Sequence, residues 1–168
     1  MKPQVIKRTL VLSAIVALSL PLAQLLSQTV AKDANQIHGV YLPADIQWKE
    51  VPPELPPGAK VAVLEGDMTK AGPFTVRLRV PNGYNIPAHT HPAIEHLTLI
   101  SGSMKLAMGD QLDRAAAHTL PAGSFAVMPT GMKHAVWFEG ETIIQAHGIG
   151  PWGINYLNPA DDPRTAKK

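Results

Sequence analysis

Phe74, Val76, Leu78 and Val80 alternate with Thr75, Arg77 and Arg79, the period of two expected of a strand with one buried face. Short β-rich runs recur along the chain and predict further strands at 60–65, 84–91, 96–100, 104–108, 124–128, 134–139 and 142–147, with 74–80 among them. Pro81-Asn82-Gly83, Ser101-Gly102, Met108-Gly109-Asp110 and Glu139-Gly140 punctuate them as turns. All 13 glycines and 14 of the 16 prolines lie beyond residue 31, and no segment there has room for a long helix. The pattern predicts an all-β sandwich or barrel. At 168 residues the chain has room for one compact domain.

Before residue 32 the pattern differs. Lys2, Lys7 and Arg8 precede an apolar stretch from Thr9 to Leu20, followed by Pro21 and by small residues around Val30. Residues 1–31 therefore read as an export signal cleaved after Ala31. The rival is an uncleaved anchor, but Ser13, Ser19, Pro21 and Gln24 interrupt an apolar stretch that is barely long enough to span a membrane. The expected location is the periplasm or the extracellular space. Residues 32–57 read as an extended proline-rich arm pinned by Ile46 and Trp48, residues 58–158 as the β domain, and residues 159–168 as a polar tail that frays. Trp152 and Tyr156 are expected to cover a barrel end.

Charge follows from the leader. Without its three basic residues the chain has 12 Lys and Arg against 13 Asp and Glu, a net charge of −1, which removes the electrostatic case for nucleic acid. The membrane enters only through export. With no cysteine, the sequence excludes disulfides, thiolate zinc sites and iron–sulfur clusters. Any metal must be held by His and carboxylate.

The histidines supply that chemistry. His89 and His91 leave one face of an extended strand about 7 Å apart at the backbone, and Glu95 keeps their parity. A bend at Pro92 would let Glu95 approach from the adjoining strand, with His134 arriving from across the sandwich. An isolated His-x-His pair is more often a surface or hydrogen-bonded pair than a site. What changes the reading is the frame around it: Gly83, five residues, His89-Thr90-His91, three residues, Glu95, six residues, Gly102; then Gly123, five residues, Pro129, one residue, Gly131, two residues, His134.

These nine residues resemble the two signature motifs of the cupin superfamily, and the 20 residues between the blocks suit a small single-domain, cupin_2-like member. The resemblance implies a cupin double-stranded β-helix, a jelly-roll-like barrel, holding one divalent transition metal (Fe, Mn, Ni or Zn) on His89, His91, Glu95 and His134. It also implies that Glu95 can serve as a base. Many cupins carry Asn four residues after the last ligand, where this chain has Phe138, which weakens the likeness to germin-type members.

Strand parity from Glu95 and His134 turns Leu97, Leu99, Val136 and Phe138 inward, so the metal is expected in an apolar cavity. His96 and Trp137 should point away, and Gln145 and His147 share a face whose direction parity leaves open. Arg77 and Arg79 read as structural, and Gly83, Gly102, Gly123 and Gly131 as turn residues with positive φ. Two function classes follow: a metal-dependent oxidoreductase of dioxygenase type acting on a small, largely apolar molecule, or a non-catalytic binding or sensing protein, with Lewis-acid isomerase or lyase chemistry as a variant of the first. Exposed strand edges and the arm make a homodimer plausible.

Overall fold

The computed structural model describes residues 39–165; the leader expected over 1–31, the start of the arm through His38 and residues 166–168 lie outside the described residues. The chain forms strands β1 (Lys49–Glu50), β2 (Lys60–Glu65), β3 (Gly72–Val80), β4 (Asn85–Thr90), β5 (Glu95–Met108), β6 (His118–Pro121), β7 (Phe125–Met128), β8 (His134–Gly150) and β9 (Asn155–Tyr156). Three short 3-10 turns complete it, with no α-helix among the described residues. Every strand pairing is antiparallel.

Two long strands organise the fold. β5 and β8 pair from His96 with His147 to Met108 with His134. The C-terminal half of β8 also pairs with β3, and the N-terminal half of β5 with β7, giving one layer in the order β1-β2-β3-β8-β5-β7. The other halves pair with β4 and β6, giving the facing layer β9-β4-β8-β5-β6. The result is a curled antiparallel jelly roll.

The segments 96–100 and 104–108, and likewise 134–139 and 142–147, were expected as separate strands joined by turns. They are instead continuous strands bent at a shared corner. The ladder shifts register at Ser101, and Gly102 and Gly140 there adopt φ of +81° and +75°. A Cβ on Gly102 would overlap Thr142 Oγ1 and stand 2.6 Å from the Glu141 carbonyl oxygen. Thr142 is fully buried and staples the corner: its Oγ1 lies 3.2 Å from the carbonyls of Ser103 and Gly140 and accepts the Ser103 N–H at 3.3 Å.

Between the layers, Phe74, Val76, Leu78 and Val80 turn inward as their alternation requires, and they pack with Leu99, Met104, Ile144 and Ala146. Each large apolar side chain buried in this way contributes roughly 1.5–3 kcal/mol. The outer face carries Arg77, whose Nε donates to Gln145 Oε1 at 3.0 Å, and His147, stacked on His96 at 4.9 Å. Gln145 and His147 therefore face away from the interior. Arg79 lies 4.7 Å above the ring of Trp48, and Ile46 is buried, which ties the proline-rich segment to the body.

Gly102→Ala is expected to cost about 3 kcal/mol, because the left-handed backbone and the overlap with the Thr142 corner add. Gly83→Ala, at φ +78° with open space around its Cβ, is expected to cost only about 1 kcal/mol. Urea unfolding of both variants checks this; equal losses would contradict it.

Candidate metal centre

β4 delivers His89 near its end, opposite His134 at the start of β8, and His91 follows one residue past the strand. All three imidazoles are buried, and one nitrogen from each lies within 4.8 Å of the others. Glu95 opens β5 in the facing layer. Its Oε2 lies 3.3 Å from His91 Nε2 and 3.8 Å from His134 Nε2. The structure thus brings all four residues together, with one exchange of place. His134 was expected from across the sandwich and Glu95 from a neighbouring strand, but His134 is hydrogen-bonded alongside β4 and Glu95 crosses the gap. The bent ladder is the reason: it places the N-terminal ends of β5 and β8 in opposite layers.

Backbone carbonyls orient the rings. The Nδ1 atoms of His89, His91 and His134 lie 2.6, 2.7 and 3.1 Å from the carbonyl oxygens of Pro87, Gly153 and Met132. A carbonyl only accepts, so each Nδ1 carries the proton and each Nε2 presents a bare lone pair. Burial, reinforced by the neighbouring His134 and His91, pushes the His89 pKa down to about 2 against the opposing Pro87 carbonyl. Burial likewise lowers that of His134, opposed chiefly by Glu95. Both rings are neutral at pH 7, the form that binds metal.

These donors fit a divalent transition ion: three imidazoles and a carboxyl group, with no thiolate. One observation points there directly. His91 Nε2 is buried with no hydrogen-bond partner, since the approach of Glu95 lacks hydrogen-bond geometry. A buried acceptor left unmade costs about 1–3 kcal/mol unless something fills the position.

The four side chains end a cavity of about 590 Å³ whose walls include Val76, Leu78, Ile86, Leu97, Val136 and Phe138. Leu99 shares the parity of Leu97 but is packed in the core and is not on the cavity wall, because it lies next to the corner where the layers close. His96 stacks on His147 and Phe125, and Trp137 is half-buried outside the cavity.

Three features carry no motif signal. Trp152, expected at a barrel end, stacks on His91 with ring centroids 4.3 Å apart. The Gly153 carbonyl accepts from that same ring. Residues 159–165, expected to fray, form two 3-10 turns, and Arg164 lines the cavity while pairing with Asp162 at 2.6 Å. The contacts of Trp152 and Gly153 with His91 join residues far apart in the chain, and nothing local announces them.

The depressed histidines make stability depend on pH in one direction. Below about pH 6.5 the unfolded chain takes up protons that folded His89 and His134 refuse, so their contribution is complete above that pH and is lost as the pH falls, for His89 towards about 2. Metal-free protein is expected to lose up to about 1.4 kcal/mol per pH unit for each such histidine below pH 6.5. Urea midpoints between pH 7.5 and 5 measure it, and His89→Gln should flatten the slope; identical slopes would contradict the assignment.

Comparison with known proteins follows the geometry. The family model described as the ChrR cupin-like domain matches residues 38–152. A search of curated proteins gave no match. Among solved structures, the acetylacetone dioxygenase from Acinetobacter johnsonii has a TM-score of 0.57 at 19% identity, covering 74% of this chain and 80% of its own. The DMSP lyase DddQ from Ruegeria pomeroyi DSS-3 has a TM-score of 0.56 at 18% identity, covering 69% and 63%. An RmlC-like cupin from Shewanella frigidimarina NCIMB 400 has a TM-score of 0.52 at 14% identity, covering 67% and 90%. These likenesses establish the fold alone. With a family model matching well over half of its length and two motif blocks folded into one buried histidine cluster, the chain belongs to the ChrR cupin-like family of the cupin superfamily.

Proposed function

We propose that this chain is an exported, metal-dependent oxidoreductase of dioxygenase type whose substrate is a small, largely apolar organic molecule with oxygens able to chelate a metal. The observation that carries this reading is the siting of His89, His91, His134 and Glu95 at the end of a largely apolar cavity. The acetylacetone dioxygenase named above shares the fold and supports the reading by analogy.

His89, His91, His134 and Glu95 would hold the ion, which supplies Lewis acidity and, where it is Fe, Mn or Ni, redox chemistry with O₂. The chain's own residues do the rest. The three carbonyls that fix Nδ1–H keep the Nε2 lone pairs directed at one point. Glu95, when released from the ion, would serve as the base that takes a proton from the substrate's acidic C–H or O–H. Leu97, Val136 and Phe138 bind the apolar part of the substrate and exclude water. Phe138 adds no hydrogen bond, so affinity for a small diacid should be poor. The charged cavity-lining side chains apart from the cluster are Glu54 and Arg164, both on segments outside the strands.

Zinc in place of a redox-active ion would favour Lewis-acid isomerase or lyase chemistry, or binding without turnover. Elemental analysis of tag-free protein from its native compartment, with O₂ uptake on a catechol, flavonol and β-diketone panel, decides between them. Near-stoichiometric iron, manganese or nickel with O₂ uptake is expected. Zinc with no uptake would overturn the dioxygenase reading. His91→Ala and His134→Ala are expected to lower bound metal at least tenfold and to abolish metal-induced thermal stabilisation; unchanged stoichiometry in both would sink the ligand set.

A further inference from the structure

His89 and His134 each bond a carbonyl two residues earlier in the chain, so their own local backbone sets their orientation. His91 does not. Its Nδ1–H donates to Gly153, 62 residues away, and its ring lies against the indole of Trp152 with 26° between the planes. By contrast Tyr156, the aromatic ring beside His89, stands 6.1 Å off and tilted by 51°.

Trp152 is itself fixed. Its backbone N–H donates to Met68 at 2.6 Å, and its ring leans on Phe74 at 5.8 Å. Just beyond it β9 pairs with β4, placing Tyr156 opposite His89, and Leu157 donates to the Ala88 carbonyl at 2.9 Å. The segment after β8 therefore closes directly over the end of β4, which carries His89 and leads into His91.

An imidazole with a buried, unpartnered Nε2 should turn to find a donor unless something restrains it. Resting on the metal-binding reading above, we propose that Trp152 is a positioning residue of the centre. Its indole face blocks rotation of His91 while the Gly153 carbonyl fixes the tautomer, so His91 is held ready as a ligand before any ion arrives. The strength of the site is thus set partly by a residue outside the second motif. The indole Nε1–H is buried without an acceptor, so the ring contributes its face and not its polar edge. A phenyl ring should substitute for it.

The test is a double-mutant cycle on the full chain, read by chelator-competed Zn(II) affinity and by the Co(II) ligand-field spectrum, with metal-free melting curves as the folding control. Trp152→Leu keeps an apolar side chain but removes the planar face and should weaken Zn(II) binding about tenfold or more, in line with the loss of other supports of a metal ligand. It should also alter the Co(II) spectrum. Trp152→Phe should stay within about threefold of the unmodified chain, well below the loss expected when a support is removed. In a His91→Ala background Trp152→Leu should change nothing further, because the ring on which Trp152 acts is gone. An unchanged affinity for Trp152→Leu, or an equal loss in both backgrounds, would overturn the positioning role and leave the metal centre standing. If the unmodified chain binds neither Zn(II) nor Co(II), the metal-binding reading itself fails. Should Trp152→Leu not fold, Trp152→Met takes its place in the cycle, with the same outcomes.

Discussion

The antiparallel ladder between β5 and β8, and the corner at which it bends, is the constraint on which the rest of the molecule depends. Glu95 and His134 begin these two strands, and in a flat antiparallel pair they would lie at opposite ends of the ladder. Because Gly102 and Gly140 let both strands turn at one place, the ends face each other, with 3.8 Å between Glu95 Oε2 and His134 Nε2. The corner is fixed by one buried hydroxyl, that of Thr142. A site built in this way draws its rigidity from backbone pairing, which loops alone would not provide.

Burying three imidazoles beside one another is unfavourable unless each is neutral and its N–H is satisfied. Three main-chain carbonyls take the three Nδ1 protons, and burial suppresses charging of His89 and His134. What remains unmet is on the inner side, where His91 Nε2 lacks a partner. The three buried imidazoles around it could hold a cation. The cavity that opens from them is largely apolar, with the histidines and Glu95 gathered at one end.

The segments at either end of the β domain take part in this site. Pro52, Pro53 and Leu55 line the cavity, and the hydroxyls of Tyr84 and Tyr156 donate to the carbonyls of Pro56 and Glu54. Burial raises the pKa of both phenols, that of Tyr156 to about 12, so both keep the proton they donate. Tyr156 belongs to β9, beside His89, so the same short strand borders the metal cluster and holds the proline-rich segment. The wall of the cavity and the support of the cluster are one continuous set of contacts.

Much of this was legible in the residue order. The period of two in 74–80 determined which side chains of β3 are buried, and the spacing of His89, His91, Glu95 and His134 in a frame of glycines identified a set that converges. These features are local, or are fixed by motif spacing, so a linear reading can reach them. Only the tertiary structure decided which layer each residue occupies, because the exchange of His134 and Glu95 depends on a bend that looks, in sequence, like two ordinary turns. It alone decided that Gln145 and His147 face outward, since parity gives two faces and only packing says which is buried. The roles of Trp152 and Gly153 come from contacts across dozens of residues, where the sequence carries composition but no distance.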